Sequence, residues 1–299
     1  MHPELDVTIR KRAQRLVSKK FTAGLSRKVA SQQGKITSQG TRRDLTDSLC
    51  VYLTWRACNG LRTEQQDNAA QIRTFLAERS EIVLQATLNQ NRNALQLAFA
   101  IKLPMIRSQI KTCRTSRSYS PDEIARVIEH QSEKNALSTL IAFFAGLRAH
   151  ELATLRRSDE SQPSARRQWD SRRFAGLNNV TIYIVTGKGG LRRQVALPAT
   201  LAKALECRRL ETPQRVVDRE IFYDRYYDIG FGQAFSQSFT EASKAGLRFS
   251  HGAHGLRHAY AKTRTKTLCE RGFALEQSQL IVSQELGHFR PSITIAYYR

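Results

Sequence analysis

Val180-Thr-Ile-Tyr-Ile-Val-Thr186, Gly187-Lys-Gly-Gly190, Leu191-Arg-Arg-Gln-Val-Ala-Leu197 is the clearest hairpin in the sequence. β-Branched and aromatic residues fill its first arm, and glycines surround Lys188 in the turn. The segments around it read as helices: Leu201 to Leu210, Ile229 to Lys244, Gly255 to Cys269 and Leu275 to Leu286. Upstream, Ala136 to Ala145 is apolar nearly all round and predicts a helix at the heart of a core. Ser120-Pro-Asp-Glu123 opens another helix, with Ser as N-cap, Pro at the first helical position and Glu three residues on. One hairpin among many helices predicts a mostly α fold with a small antiparallel sheet.

The chain divides by composition. Residues 1–48 hold eleven Lys and Arg against four acids, and Gly34, Ser38 and Gly40 interrupt any long helix. Residues 1–40 therefore read as a short helix within a mobile basic arm. Residues 41–106 carry apolar stripes at helical spacing: Leu45, Leu49, Tyr52 and Leu53; then Ile72, Phe75 and Leu76; then Leu84, Leu88, Leu95, Leu97 and Phe99. This is a small all-helical domain. Residues 107–119 are polar and basic and read as a linker to a second domain, 120–299.

The 299 residues include 48 Lys and Arg against 26 Asp and Glu, a formal charge of +22. That excess repels itself unless a polyanion is the partner, and nucleic acid is the commonest one. With 40% hydrophobic residues, 7 Pro and 16 Gly, wholesale disorder and collagen-like structure are excluded. The longest apolar runs, such as Leu137–Leu147, are too short for a bilayer, and no secretory signal opens the chain. Five widely spaced cysteines without Cys-x-x-Cys argue against a disulfide framework or a zinc cage, and for a reducing cytosol.

Four segments of the second domain collect groups that bind phosphate or move protons. In Gly146-Leu-Arg-Ala-His-Glu-Leu152, glycine can end the buried helix. Leu147, Leu152 and Leu155 then anchor a following helix so that Arg148 sits at a helix junction, with Glu151 one turn later to orient it. Lys188 sits at a hairpin tip from which it can be delivered into a groove, although exposed lysines in such turns are common. In His251-Gly-Ala-His-Gly-Leu-Arg-His258, His254 and Arg257 share a helix face, pairing a cation with a group that titrates near neutrality. His254 and His258 are four apart, a metal-ligand spacing, but no third acidic ligand is nearby, and His258 reads as a buried structural histidine. The last segment is Leu286-Gly-His288, followed nine residues later by Tyr297 and then Tyr298. A tyrosine among such cations could act as a nucleophile, and aromatic packing is the plainer alternative.

The order and spacing of Arg148, Lys188, His254-x-x-Arg257, His288 and Tyr297 closely resemble the tyrosine recombinases, the phage-integrase family. Its signatures look like Gly-Leu-Arg-x-x-Glu-Leu, a hairpin lysine, His-x-Leu-Arg-His, and Leu-Gly-His followed nine residues later by Tyr. The resemblance is strong over residues 119–299. Before the linker it matches the family's core-binding domain in outline only. It implies a helical core-binding domain at 41–106 and an α+β catalytic domain at 120–299, closing as a clamp on DNA.

By this resemblance, Tyr297 attacks a DNA phosphodiester to give a 3′-phosphotyrosyl bond and a free 5′-hydroxyl. Tyr298 is the alternative nucleophile. Arg148 and Arg257 would clamp the non-bridging oxygens, and Lys188 would protonate the leaving 5′-oxygen. His254 would be the acid–base partner and His288 would hydrogen-bond the phosphate, with Glu151 and His258 supporting them. Arg107, Lys111, Arg114 and Arg117 of the linker, and Arg192 and Arg193 beside the hairpin turn, are expected to bind DNA. No cofactor or metal is expected, because the arginines and lysine supply the positive charge. The implied function is site-specific recombination that integrates or excises a mobile element. Resolution of cointegrates or replicon dimers, and type IB topoisomerase-like nicking and closing, are the alternatives. The implied partner is double-stranded DNA at paired sites, bound by a homotetramer that passes through a Holliday junction and is a monomer or weak oligomer when free. Accessory DNA-bending or directionality proteins are also implied, and the setting is the cytoplasm, on the nucleoid, for a chain encoded by a bacterium or by a phage or other mobile element. The chain ends at Arg299, two residues past Tyr297, where many members continue into a segment that docks on a neighbour. Glu160–Asn179 precedes the hairpin as an extra stretch with Arg166, Arg167, Arg172 and Arg173, read either as a DNA-facing loop or as a solvated insertion.

Overall fold

The computed structural model describes residues 3–61, 68–111, 116–289 and 297–298. Arg114, within the expected linker, and the 290–296 stretch before Tyr297 lie outside the described residues. The chain forms two compact units, Met1–Cys113 and Arg114–Arg299.

The first unit contains α1 (Pro3–Ser18), α2 (Arg27–Gln32), α3 (Gln39–Cys58), α4 (Ala69–Ile82) and α5 (Gln85–Phe99). The expected stripes of α3 and α4 are its core: Leu45, Leu49, Tyr52, Leu53, Ile72, Phe75 and Leu76 are all buried. Tyr52 meets the edges of Phe75 and Phe99 at 5.2 and 5.8 Å between ring centres, the preferred aromatic geometry. Leu84, read as part of the third stripe, instead caps α5 and is 43% exposed. The basic N-terminal segment differs from a mobile arm. Ile9, Ala13 and Val17, at four-residue spacing, bury one face of α1 in this core, while the lysines and arginines occupy the other. The apolar stripe is narrow, and the surrounding charge hides it in the sequence.

The expected linker is fastened at both ends. Ser108 Oγ donates to the Val83 carbonyl at 2.6 Å, and Gln109 N donates to the Ser80 carbonyl at 2.8 Å, both in the first unit. Tyr119 is buried in the second unit, edge-on to Phe239, and its hydroxyl accepts from His251 N at 2.6 Å.

The second unit opens with α6 (Pro121–Ile128) and α7 (Glu133–Ala145). The capping box forms as read: Ser120 Oγ accepts from Glu123 N, and the Glu123 carboxylate accepts from Ser120 N at 2.8 Å. After α7 come β1 (Arg156–Arg157), β2 (Val180–Thr186), β3 (Arg192–Pro198), α8 (Ala199–Glu206), β4 (Arg209–Asp218), β5 (Ile221–Tyr227), α9 (Gly232–Leu247), α10 (His254–Glu270) and α11 (Leu275–Glu285). The predicted hairpin is β2–β3, with Tyr183 opposite Val195 and Thr186 opposite Arg192. The short β1 joins its other side in an antiparallel order β1-β2-β3. Val185, Val195 and Leu197 from this sheet meet Ile141 and Leu137 of α7, Phe235 and Phe239 of α9, and Leu256 of α10 in one core.

A second hairpin, β4–β5, corrects the helix read over Leu201 to Leu210: α8 stops at Glu206 and the chain turns into β4 at Arg209. Most of β4 is exposed or half-exposed on both faces, so no alternation of apolar residues marks it, and its register shifts between Arg209 and Gln214, around Pro213. Among the described residues no helix is long and apolar enough to cross a membrane.

Candidate functional site

The site assembles where α7 ends. Gly146 takes the left-handed conformation, φ +61°, to close that helix. A Cβ there would lie 2.6 Å from the Tyr260 ring, so the glycine also lets α10 approach α7. Leu147, Leu152 and Leu155 are buried as expected, but the segment between them is a single 3₁₀ turn, Glu151–Thr154, rather than a helix. Thr154 explains its arrest: its hydroxyl donates to the Glu151 carbonyl at 2.8 Å and accepts from Thr186 N at 2.9 Å, which ties the turn to the end of β2.

Glu151 is fully buried and organises the arginines. Its Oε1 accepts from Arg148 Nη1 at 2.7 Å, and its Oε2 from Arg193 Nη2 at 2.7 Å and from Arg148 N at 2.9 Å. Arg257 Nη1 lies 3.7 Å from the same Oε2. Burial works to raise the carboxyl pKa, but Arg193, Arg257 and Arg148 together hold it down to about 2. Three guanidinium groups against one carboxylate leave a surplus of positive charge.

Arg193 corrects an expectation. Read as a DNA contact, it is 1% exposed, because β3 turns Arg193, Val195 and Leu197 to the same inner face. Its task is to neutralise Glu151, and only Arg192 points outward at this place. Arg257 is likewise fully buried. Its Nε donates to the Tyr297 hydroxyl at 3.2 Å, its Nη1 to the Gly146 carbonyl at 2.5 Å, and its Nη2 to the Leu286 carbonyl and toward His288 Nε2.

Gly287 (φ +73°) brings the end of α11 against Arg193, where a Cβ would be 2.9 Å from its side chain, and so delivers His288 to the arginines. Arg148 Nη2 and Arg257 Nη2 each lie 3.2 Å from His288 Nε2, and the Tyr297 hydroxyl lies 3.4 Å away. Burial, then Arg257 and Arg148, push the His288 pKa down to about 3, so the ring is neutral and Nε2 accepts these hydrogen bonds. His254, in the first turn of α10, is exposed at its edge. Its inner side packs on His258 and Tyr297, with ring centres 5.4 and 5.7 Å apart. That partial desolvation and the Arg257 charge lower its pKa to about 4. His258 is buried as expected, edge-on to Tyr297 at 4.6 Å.

Tyr297 thus stands among Arg257, His254, His258 and His288. Tyr298 turns elsewhere: its hydroxyl pairs with Thr265 Oγ1 at 2.7 Å on α10, and burial pushes its pKa up to about 12. Lys188 is exposed in the hairpin turn and lines a cleft of about 190 Å³ with Arg148, Glu151, Gly187, Leu191, Arg193, Gly287 and His288. Arg107, Lys111 and Arg117 are exposed, and Arg117 donates to the His251 carbonyl at 3.1 Å.

The stretch before the hairpin is tied to the rest of its unit, although Arg166, Arg167 and Arg172 remain exposed. Arg166 donates to the Gly189 carbonyl at 3.3 Å, and Arg167 lies over the Phe289 ring. Arg172 pairs with Asp170, and Arg173 lies over Trp169 and donates to Gln194. Its cations are engaged within the chain, a role that charge counting cannot reveal.

The buried groups make the fold acid-sensitive. Glu151, His258 and His288 all have folded pKa values below their unfolded ones, about 2, 4 and 3 against ordinary values of 4.5, 6.5 and 6.5. Between each folded and unfolded value the unfolded chain binds more protons, so stability rises with pH there. Thermal melts should therefore show a constant Tm above about pH 7. A first decline should begin below about 6.5, from the histidines, and a second below about 4.5, from Glu151. A Tm flat from pH 7 to 4 would contradict the neutral, buried state of these rings.

No protein-family profile matches the chain, and no curated protein matches its sequence. Solved structures do match its fold. A XerH site-specific recombinase bound to palindromic difH substrate, in a post-cleavage complex, superposes with a TM-score of 0.55 at 16% identity, over 98% of this chain and 90% of that one. A lambda integrase dimer bound to a COC′ core site gives 0.56 at 15% identity, over 98% and 77%. At these identities the likeness is one of fold: the chain has the tyrosine recombinase fold.

Proposed function

We propose that the chain is a site-specific DNA recombinase that cleaves and rejoins strands through a 3′-phosphotyrosyl intermediate. The observation that carries this reading is the convergence of Arg148, Arg257 and the Tyr297 hydroxyl on His288 Nε2, each within 3.4 Å. Two guanidinium groups, a neutral imidazole and a nucleophile at one point are what an in-line displacement at a phosphodiester needs.

In the proposed step, the Tyr297 oxygen forms a bond to phosphorus while the bond to the 5′-oxygen breaks. The tyrosine proton passes to a neighbouring neutral imidazole, His254, whose ring lies 5.7 Å from the Tyr297 ring and keeps an exposed edge. Lys188, beside the cleft, gives the leaving 5′-oxygen its proton. The Arg148 and Arg257 donors now turned to His288 would take the non-bridging oxygens, and their fixed placement on Glu151 means little reorganisation at the transition state. The first unit and the exposed cations Arg107, Lys111, Arg117 and Arg192 would supply phosphate contacts that set register. Integration and excision of a mobile element is the leading role, on paired sites held by four protomers. Resolution of dimers and a solitary nicking-closing activity are the alternatives.

Covalent capture tests the reading without knowledge of the site. The protein is mixed with fragmented host DNA in the absence of magnesium and denatured, and the DNA that stays attached is sequenced. Discrete loci are the expected result. Scattered adducts would indicate the topoisomerase-like activity, and no adduct would overturn cleavage by this chain alone. Binding to the recovered sequence should also weaken steeply with salt, by about 10³-fold or more between 50 and 200 mM, as expected when six or more phosphates are neutralised. A shallow slope would remove the charge argument.

A further inference from the structure

The stretch that connects β1 to β2 grips the Lys188 turn from outside. β3 is an edge strand, and both backbone groups of its first residue, Arg192, bond to Ser164. Arg192 N donates to Ser164 Oγ, and Ser164 N to the Arg192 carbonyl, each at 3.0 Å. Ser164 is itself buried and held: Trp169 Nε1 donates to its carbonyl at 3.2 Å. The Trp169 ring then packs on Phe289, 5.0 Å between centres, the residue next to His288. Ser164 and Trp169 thus join the base of the Lys188 turn to the segment that carries His288. The turn itself is secured across the hairpin by Gly187 N on the Leu191 carbonyl, and its tip by Arg166 on the Gly189 carbonyl. An exposed glycine-rich turn with so few bonds of its own takes its position from whatever holds its base.

We propose that Ser164 and Trp169 are positioning residues that set where Lys188 delivers its proton. The inference rests on Lys188 being the general acid, and the test separates the two. The probe is a duplex of the captured sequence in two forms, one with the ordinary phosphodiester and one with sulfur replacing the 5′-bridging oxygen. In both, the Tyr297 oxygen forms its bond to phosphorus. The P–O5′ bond breaks with proton transfer from Lys188, whereas the P–S bond releases a thiolate that needs no proton.

Lys188→Ala should slow adduct formation on the phosphodiester by about 10²- to 10⁴-fold and approach wild type on the sulfur substrate. Ser164→Ala and Trp169→Phe keep the fold's bulk and remove one hydrogen bond each. They should slow the phosphodiester by on the order of tenfold, as displacements of about 1 Å or less do, and leave the sulfur substrate at the wild-type rate. Equal rates to wild type on both substrates, or equal slowing on both, would overturn the positioning role. Failure of the sulfur substrate to rescue Lys188→Ala would instead overturn Lys188 as the acid.

Discussion

Tyr297→Phe is expected to bind DNA with wild-type affinity and to form no covalent adduct. The hydroxyl is the atom that bonds to phosphorus in the proposed step, so its removal eliminates that step rather than slowing it. Affinity should be untouched, because Tyr297 is 6% exposed and the cations proposed to bind phosphates lie elsewhere. The phenyl ring still packs on His258 and covers Arg257, and the cost to stability is the hydrogen bond from Arg257 Nε and the longer one to His288 Nε2, about 1–3 kcal/mol together. The check is a denaturing gel of labelled captured DNA beside an anisotropy titration. Tyr298→Phe is the companion: it loses a bond to Thr265 and should keep the adduct. An adduct retained by Tyr297→Phe and lost by Tyr298→Phe would transfer the nucleophile to Tyr298.

The two arginines should fail in different ways when removed. Arg148 is 23% exposed at its side chain, and Glu151 retains Arg193 without it. Arg148→Ala should therefore fold, with adduct formation slowed by about 10²- to 10³-fold, as when one transition-state donor is lost. Arg257 is fully buried between α7, α10 and the end of α11, with carbonyls of Gly146 and Leu286 as acceptors. Arg257→Ala leaves those carbonyls and part of the Glu151 charge unpaired, a loss of about 3–5 kcal/mol, so Tm should fall by on the order of 10 °C and the adduct should vanish. Calorimetry and adduct kinetics on both variants check this. A fully active Arg148→Ala would refute the phosphate clamp, and an Arg257→Ala protein of unchanged Tm would refute the buried network.

Much of the candidate site was legible because its residues belong to short segments with clear local grammar. Gly146 and Gly287 mark helix ends, Ser120-Pro121 a helix start, and Gly187 to Gly190 a hairpin turn; each works through backbone conformation that neighbours in sequence decide. What was misread had charge or exposure where burial decides. Arg193 looked like a surface cation beside the turn, yet strand alternation with Val195 and Leu197 already placed it inward. The β4–β5 hairpin left no pattern because little of it is buried.

The sequence by itself determined most of the helices, the β2–β3 hairpin, the N-terminal helical domain's main stripes and the short list of candidate site residues, since periodicity and turn chemistry are local. Only the tertiary structure decided which of two adjacent tyrosines meets Arg257, that Arg193 serves Glu151, and that Ser164 and Trp169 hold the Lys188 turn. Those outcomes depend on which groups, distant in the chain, share a desolvated space. There a carboxylate must find its cations and a backbone edge its partner, because burial without them costs several kilocalories per mole.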